Sequence, residues 1–94
     1  METYIIVSLT PLDAEKLNEY SRKAAETLRS FGGEIIARGP VEPLHGPTAF
    51  KAKGVMRFPT EVQAQAWYKS DAYQALIPLR TEAMEAEFHL ISGA

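Results

Sequence analysis

The sequence predicts an α+β domain: one four-stranded antiparallel sheet and two helices, in the order βαββαβ. Three observations carry that prediction. Four segments rich in β-branched and aromatic residues are separated by two segments of helical periodicity. Helix starts and stops fall where that order needs them, at Asp13, Gly32-Gly33 and Thr60. The first strand offers apolar side chains to both of its faces, which two helices on one face cannot cover.

Thr3–Leu9 is the first predicted strand, stopped by Thr10-Pro11. Tyr4 and Ile6 point one way, and Ile5, Val7 and Leu9 the other. Asp13 suits the N-cap of the helix that follows, although Lys16 stands where a full capping box would have Glu or Gln. Leu17, Tyr20, Ala24, Leu28 and Phe31 form its apolar stripe, and Glu19–Lys23 is a favourably ordered i,i+4 pair. Gly32-Gly33 ends it, because Gly accepts the left-handed conformation that closes helices.

Glu34–Arg38 is the second strand, interrupted at Gly39-Pro40 and continued past a bulge or bend through Val41–Leu44. His45-Gly46-Pro47 is a turn or loop. In the third strand, Phe50–Phe58, Lys51, Lys53, Val55 and Arg57 share one face, and Gly54 marks a bulge or a close backbone approach. Thr60 and Gln63 form a capping box for the second helix. Ser70-Asp71 caps a further short turn through Leu76, and Pro78 predicts a break near Ile77. Glu85–Ser92 is the last strand, with Ala86, Phe88 and Leu90 opposite Glu87, His89 and Ile91. This order is the ferredoxin-like arrangement, with both helices on one face of the sheet. The uncovered face predicts a homodimer, with the first strand and the strand holding Val55 at its interface.

Residues 1–94 read as a single domain without linker or repeat. Ten basic and twelve acidic residues are mixed along the chain, for a net charge of −2, so neither nucleic acid nor an anionic membrane is expected as a partner. There is no cysteine, which excludes disulfides, thiolate metal sites and thiol nucleophiles. Without a targeting or spanning segment, the expected location is cytoplasmic.

The sequence resembles the DUF1330 proteins, members of the dimeric α+β barrel superfamily. The resemblance rests on Tyr4–Thr10, on Phe31–Gly39, and above all on Trp67-Tyr68-x-Ser70-x-x-Tyr73-Gln74-x-Leu76-x-Pro78-Leu79-Arg80. It departs from the family at Pro43–Lys51. The resemblance implies two four-stranded sheets meeting as a barrel-like dimer with the helices outside. It implies no particular reaction.

Arg38, Tyr68, Tyr73 and Arg80 are the candidate ligand-binding residues. A guanidinium offers paired donors to a carboxylate. The same arginines equally suit internal ion pairs, with Glu34, Glu82 or Asp71 as partners. Tyr68 and Tyr73 line an apolar pocket or else pack the helix onto the sheet, and Trp67 reads as core. His45 and His89 are the only imidazoles and hence the candidate bases, set against a solvent-exposed loop residue and a hydrogen-bonded sheet residue. No metal site and no cofactor is expected. The functional expectation is a dimer that binds or transforms a small organic acid or phenolic compound. Its pocket would lie between the sheet and the Trp67–Arg80 segment, near Arg38 and His45. The competing expectation is a non-catalytic dimeric interaction or stress-related module.

Overall fold

A computed structural model of the chain describes residues 2–93. The elements are β1 (Thr3–Pro11), α1 (Ala14–Leu28), a 3-10 turn (Arg29–Phe31), β2 (Glu34–Pro40), β3 (Ala52–Phe58), α2 (Glu61–Lys69), α3 (Asp71–Gln74), α4 (Ile77–Ala83) and β4 (Met84–Ser92). The four strands form one antiparallel sheet in the order β2-β3-β1-β4. This is the βαββαβ, ferredoxin-like α+β arrangement, with the second helical segment divided into three.

The local signals act as their chemistry requires. The Asp13 carboxylate accepts from the Lys16 amide at 3.1 Å, and Gly32 closes the 3-10 turn with φ of 73°. At Thr60 the hydroxyl accepts from the Gln63 amide at 3.2 Å. The Gln63 side chain does not complete the usual reciprocal box. Its oxygen accepts from the Thr60 hydroxyl, and its nitrogen donates to the Phe31 carbonyl, which ties α2 to the turn after α1. Ser70 separates α2 from α3 by donating to the Trp67 carbonyl and accepting from the Tyr73 amide. The break before Ile77 is present, but the chain re-enters a helix at once, with Pro78 in its first turn. Pro lacks only an N–H that is unpaired there anyway, and its fixed φ favours starting a helix.

Strand alternation divides the sheet cleanly. Ile5, Val7, Met56, Phe58, Phe88 and Met84 face the helices, where the core also takes in Leu28, Trp67 and Tyr73. Phe58, Trp67 and Tyr73 are fully buried. Each large side chain so buried contributes about 1.5–3 kcal/mol. On the opposite face Tyr4, Ile6, Val55 and Ile91 lie across adjacent strands, and Ile91 is 54% exposed. Lys53, which donates to Ser8, and Arg57, paired with Glu34, flank that apolar patch.

The second strand differs from expectation in two ways. It ends at Pro40, and only the Val41 amide bonds onward, to the Lys51 carbonyl. Pro40 and Pro43 have no N–H with which to extend a ladder, so residues 41–44 do not continue the strand. The bulge falls earlier, between Ile35 and Ala37. Ile35 pairs with Met56 and Arg38 with Gly54, so the extra residue brings Arg38 onto the helix-facing side together with Ile35.

Candidate functional site

The bulge at Ile36 and the missing side chain at Gly54 together make the main cavity. It is an open cleft of about 580 Å³ between α1 and the helix-facing side of β1, β2 and β3. Val7, Leu9, Leu17, Ala24 and Met56 give it apolar walls, and Trp67 and Phe88 close one end. A Cβ built on Gly54 would meet only the Cβ of Arg38, at 3.9 Å. Gly54 therefore leaves space in the cleft; it is not needed for a tight backbone approach. The cleft lies under α1 and beside the Trp67–Arg80 segment, not beneath it: of residues 67–80 only Trp67 lines it, and Tyr73 is packed to full burial.

The electrostatics of the cleft are one-sided. Arg38 is the cation whose strand position faces it. Lys51 and Lys53 border it from positions of the opposite face, where the Lys53 ammonium donates to Ser8, and no Asp or Glu among the described residues lines it. The chain as a whole carries a net charge of −2, so the uncompensated charge of Arg38 is local to the cleft. Ion pairs among the described residues join Lys16 to Glu82, Lys23 to Glu19, and Arg57 to Glu34 and Glu2. None of them includes Arg38 or Arg80. Of the carboxylates that could have neutralised these arginines, Glu34 and Glu82 are engaged elsewhere, and Asp71 pairs with neither arginine.

Against the far wall stands a network of phenols. Arg80 donates from one nitrogen to the hydroxyls of Tyr73 and Tyr68, at 3.0 and 3.1 Å. The Tyr73 hydroxyl is 2.6 Å from that of Tyr20, which lines the cleft. The guanidinium carbon lies 4.8 Å from the centroid of the Phe88 ring, over its face. Burial opposes the charge on Arg80, but its bonds to Tyr68 and Tyr73 outweigh that and raise its pKa. Burial also raises the pKa of both Tyr73 and Tyr20, and for Tyr73 it does so in spite of Arg80. Both phenols are therefore protonated at neutral pH, able to donate but unsuited to act as bases.

The candidate residues thus separate. Tyr68, Tyr73 and Arg80 are brought together, while Arg38 stands apart from them at the rim of the cleft. Tyr68 and His89 both line a smaller hollow beside α2 and β4. His89 is an exposed residue of β4, and His45 lies in the exposed 41–51 loop outside the cleft. Tyr20 was legible only as part of the apolar stripe of α1. A phenol at an otherwise aliphatic stripe position was the one available signal. Among the described residues no group of three or more His, Cys, Asp or Glu could hold a metal ion. No helix among them is long and apolar enough to cross a membrane.

Residues 2–94 match the family described as a domain of unknown function, DUF1330. The chain belongs to the DUF1330 family. No curated protein matches it. Among solved structures, this DUF1330 chain is similar to a protein of unknown function from Rhodopseudomonas palustris, with TM-score 0.79, 13% identity, and coverage of 99% of this chain and 82% of that one. It is also similar to a dimeric ferredoxin-like protein of unknown function from Jannaschia, with TM-score 0.78 and 11% identity over 99% and 100% of the two chains. A third is SnoaB, a cofactor-independent oxygenase from Streptomyces nogalater, with TM-score 0.73 and 6% identity over 99% and 93%. At these identities the likeness is one of fold.

Proposed function

We propose that this DUF1330 chain is a homodimeric binding protein for a small organic acid or acidic phenol with an apolar body, held in the cleft beneath α1. One observation carries the reading: an apolar cleft of about 580 Å³ in which, among the described residues, Arg38 stands unpaired at the rim and no carboxylate joins the lining. An apolar body gains free energy by leaving water, and a guanidinium without an internal counter-ion offers paired donors to the ligand's anionic group. Binding is favoured over transformation. No imidazole lines the cleft, and the phenols nearest to it are held in their protonated form. The fold shared with a cofactor-independent oxygenase therefore brings no base into this cleft.

The dimer part of the reading rests on the apolar patch of Tyr4, Ile6, Val55 and Ile91 on the helix-free sheet face, and on the dimeric description of a structural relative. Two such faces packed together would complete the barrel-like arrangement. The test is a thermal-shift series with naphthoate, its uncharged amide and a naphthylamine. The acid raises the melting temperature in proportion to the logarithm of its concentration, and the amide and amine do so far less. If no acid among aryl and alkyl carboxylates shifts the transition, the ligand reading fails. A dimeric interaction module then remains, with a purely structural aromatic segment.

A further inference from the structure

We infer that the Tyr20 hydroxyl is a fixed hydrogen-bond donor into the cleft, reading an oxygen acceptor on the ligand body, such as a ketone, quinone or ring carbonyl, separately from the anion met by Arg38. The inference rests on the cleft reading above and deepens it.

It follows from an accounting of hydrogens. Tyr73 is fully buried, so its hydroxyl hydrogen must go to a protein acceptor. Its hydrogen-bond partners among the described residues are Arg80 and the Tyr20 hydroxyl. A guanidinium has donors only. The Tyr73 hydrogen therefore goes to the Tyr20 oxygen, and the polarity of the network is set: Arg80 donates to Tyr73, and Tyr73 to Tyr20. The Tyr20 hydrogen is then the one left over. No acceptor for it exists among the described residues, and Tyr20 lines the cleft. A cationic start to the chain polarises each following O–H, so the terminal hydroxyl is a stronger donor than an isolated phenol. Burial keeps both phenols protonated, which preserves the donor at neutral pH.

The ligand class is thereby narrowed to an apolar, ring-sized body with an acidic group at one end and an oxygen acceptor elsewhere. Tyr73 and Arg80 are positioning residues in this scheme, since neither lines the cleft.

The experiment compares fluorenone carboxylates with the fluorene carboxylates of the same shape, in two positional isomers that set the ketone at two distances from the anion. Titration calorimetry gives affinities, and infrared difference spectra follow the ketone stretch. Wild type binds the ketone acid of at least one isomer about tenfold more tightly than its fluorene counterpart. Its bound ketone stretch lies at lower wavenumber than in Tyr20→Phe, where the two acids bind alike. Tyr73→Phe retains the donor without its polarising chain, so the ketone shift diminishes but persists. If the acids bind but their ratio is the same in wild type and Tyr20→Phe, the donor assignment is overturned while the cleft reading stands. If none of the acids binds, both are overturned.

Discussion

Tyr20 on α1 and Tyr73 on α3, separated by 53 positions in the chain, share a buried hydrogen bond of 2.6 Å between their hydroxyls, and their rings meet edge to face at 74°. This contact joins α1 to α3 across the end of the cleft. Arg80 supplies its charge, through Tyr73. Tyr73→Phe removes the middle oxygen and leaves a buried phenol and a half-buried guanidinium each short of a partner. The expected loss is about 1–3 kcal/mol of stability, read from urea unfolding, with little change in the folded circular dichroism spectrum.

The same pair sets an alkaline limit. Burial raises both phenols above the ordinary tyrosine value of 10.0. Above that pH the unfolded chain releases protons that the folded chain retains, so stability falls as pH rises. The contribution is fully present below pH ~10 and declines above it by up to about 1.4 kcal/mol per pH unit for each phenol. Urea midpoints across this range, with absorbance near 295 nm to follow ionisation, should show a shallower decline in Tyr20→Phe.

Trp67 is buried completely, and its indole N–H donates to the Thr27 hydroxyl at 2.8 Å, which in turn donates to the Ala24 carbonyl at 2.7 Å. Thr27→Val keeps the volume and removes the acceptor. The orphaned indole N–H should cost about 1–3 kcal/mol, while Thr27→Ser should cost clearly less. A loss in Thr27→Ser with none in Thr27→Val would show that the methyl group matters and the hydroxyl does not.

On the helix-free face of the sheet, Val55→Glu places a charge among Tyr4, Ile6 and Ile91. A protein that dimerises through this face becomes monomeric in sedimentation velocity at micromolar concentration, and Glu61→Gln, at an exposed site on α2, leaves the dimer intact. A wild-type monomer at that concentration would contradict the expected assembly.

Much of this architecture was legible because its signals are local. Asp13, Gly32, Thr60 and Ser70 act within one turn of their own position, and strand alternation assigned Tyr4 and Ile6 to the side opposite Ile5 and Val7. The bulge at Ile36 was not legible where it falls, since an extra aliphatic residue on an edge strand looks like any other. That one residue decides which face Arg38 occupies. Pro78 was legible as a stop but not as the first turn of a new helix. The role of Tyr20 was hidden because its partner is distant in sequence, and a stripe position reads as core whether or not its hydroxyl is bonded. Gly54 read as a bulge or a close backbone approach and is neither: it leaves open space in the cleft, and the bulge lies on the neighbouring strand.

Filling that space tests the cleft without touching a charge. Gly54→Leu places its side chain on the helix-facing side opposite Val7, where there is room for it. The fold should persist, with a melting temperature close to that of wild type, and naphthoate should lose at least tenfold in affinity.

The most direct measurement is a titration of the nitrogen-15-labelled protein with naphthoate, followed by amide chemical shifts. Shifts concentrated at Val7, Tyr20, Ala24, Arg38 and Gly54, saturating together and abolished by Arg38→Ala, are the predicted result. Shifts confined to the 41–51 loop or to the hollow of Tyr68 and His89, or unchanged by Arg38→Ala, would contradict the assignment of this cleft as the binding site.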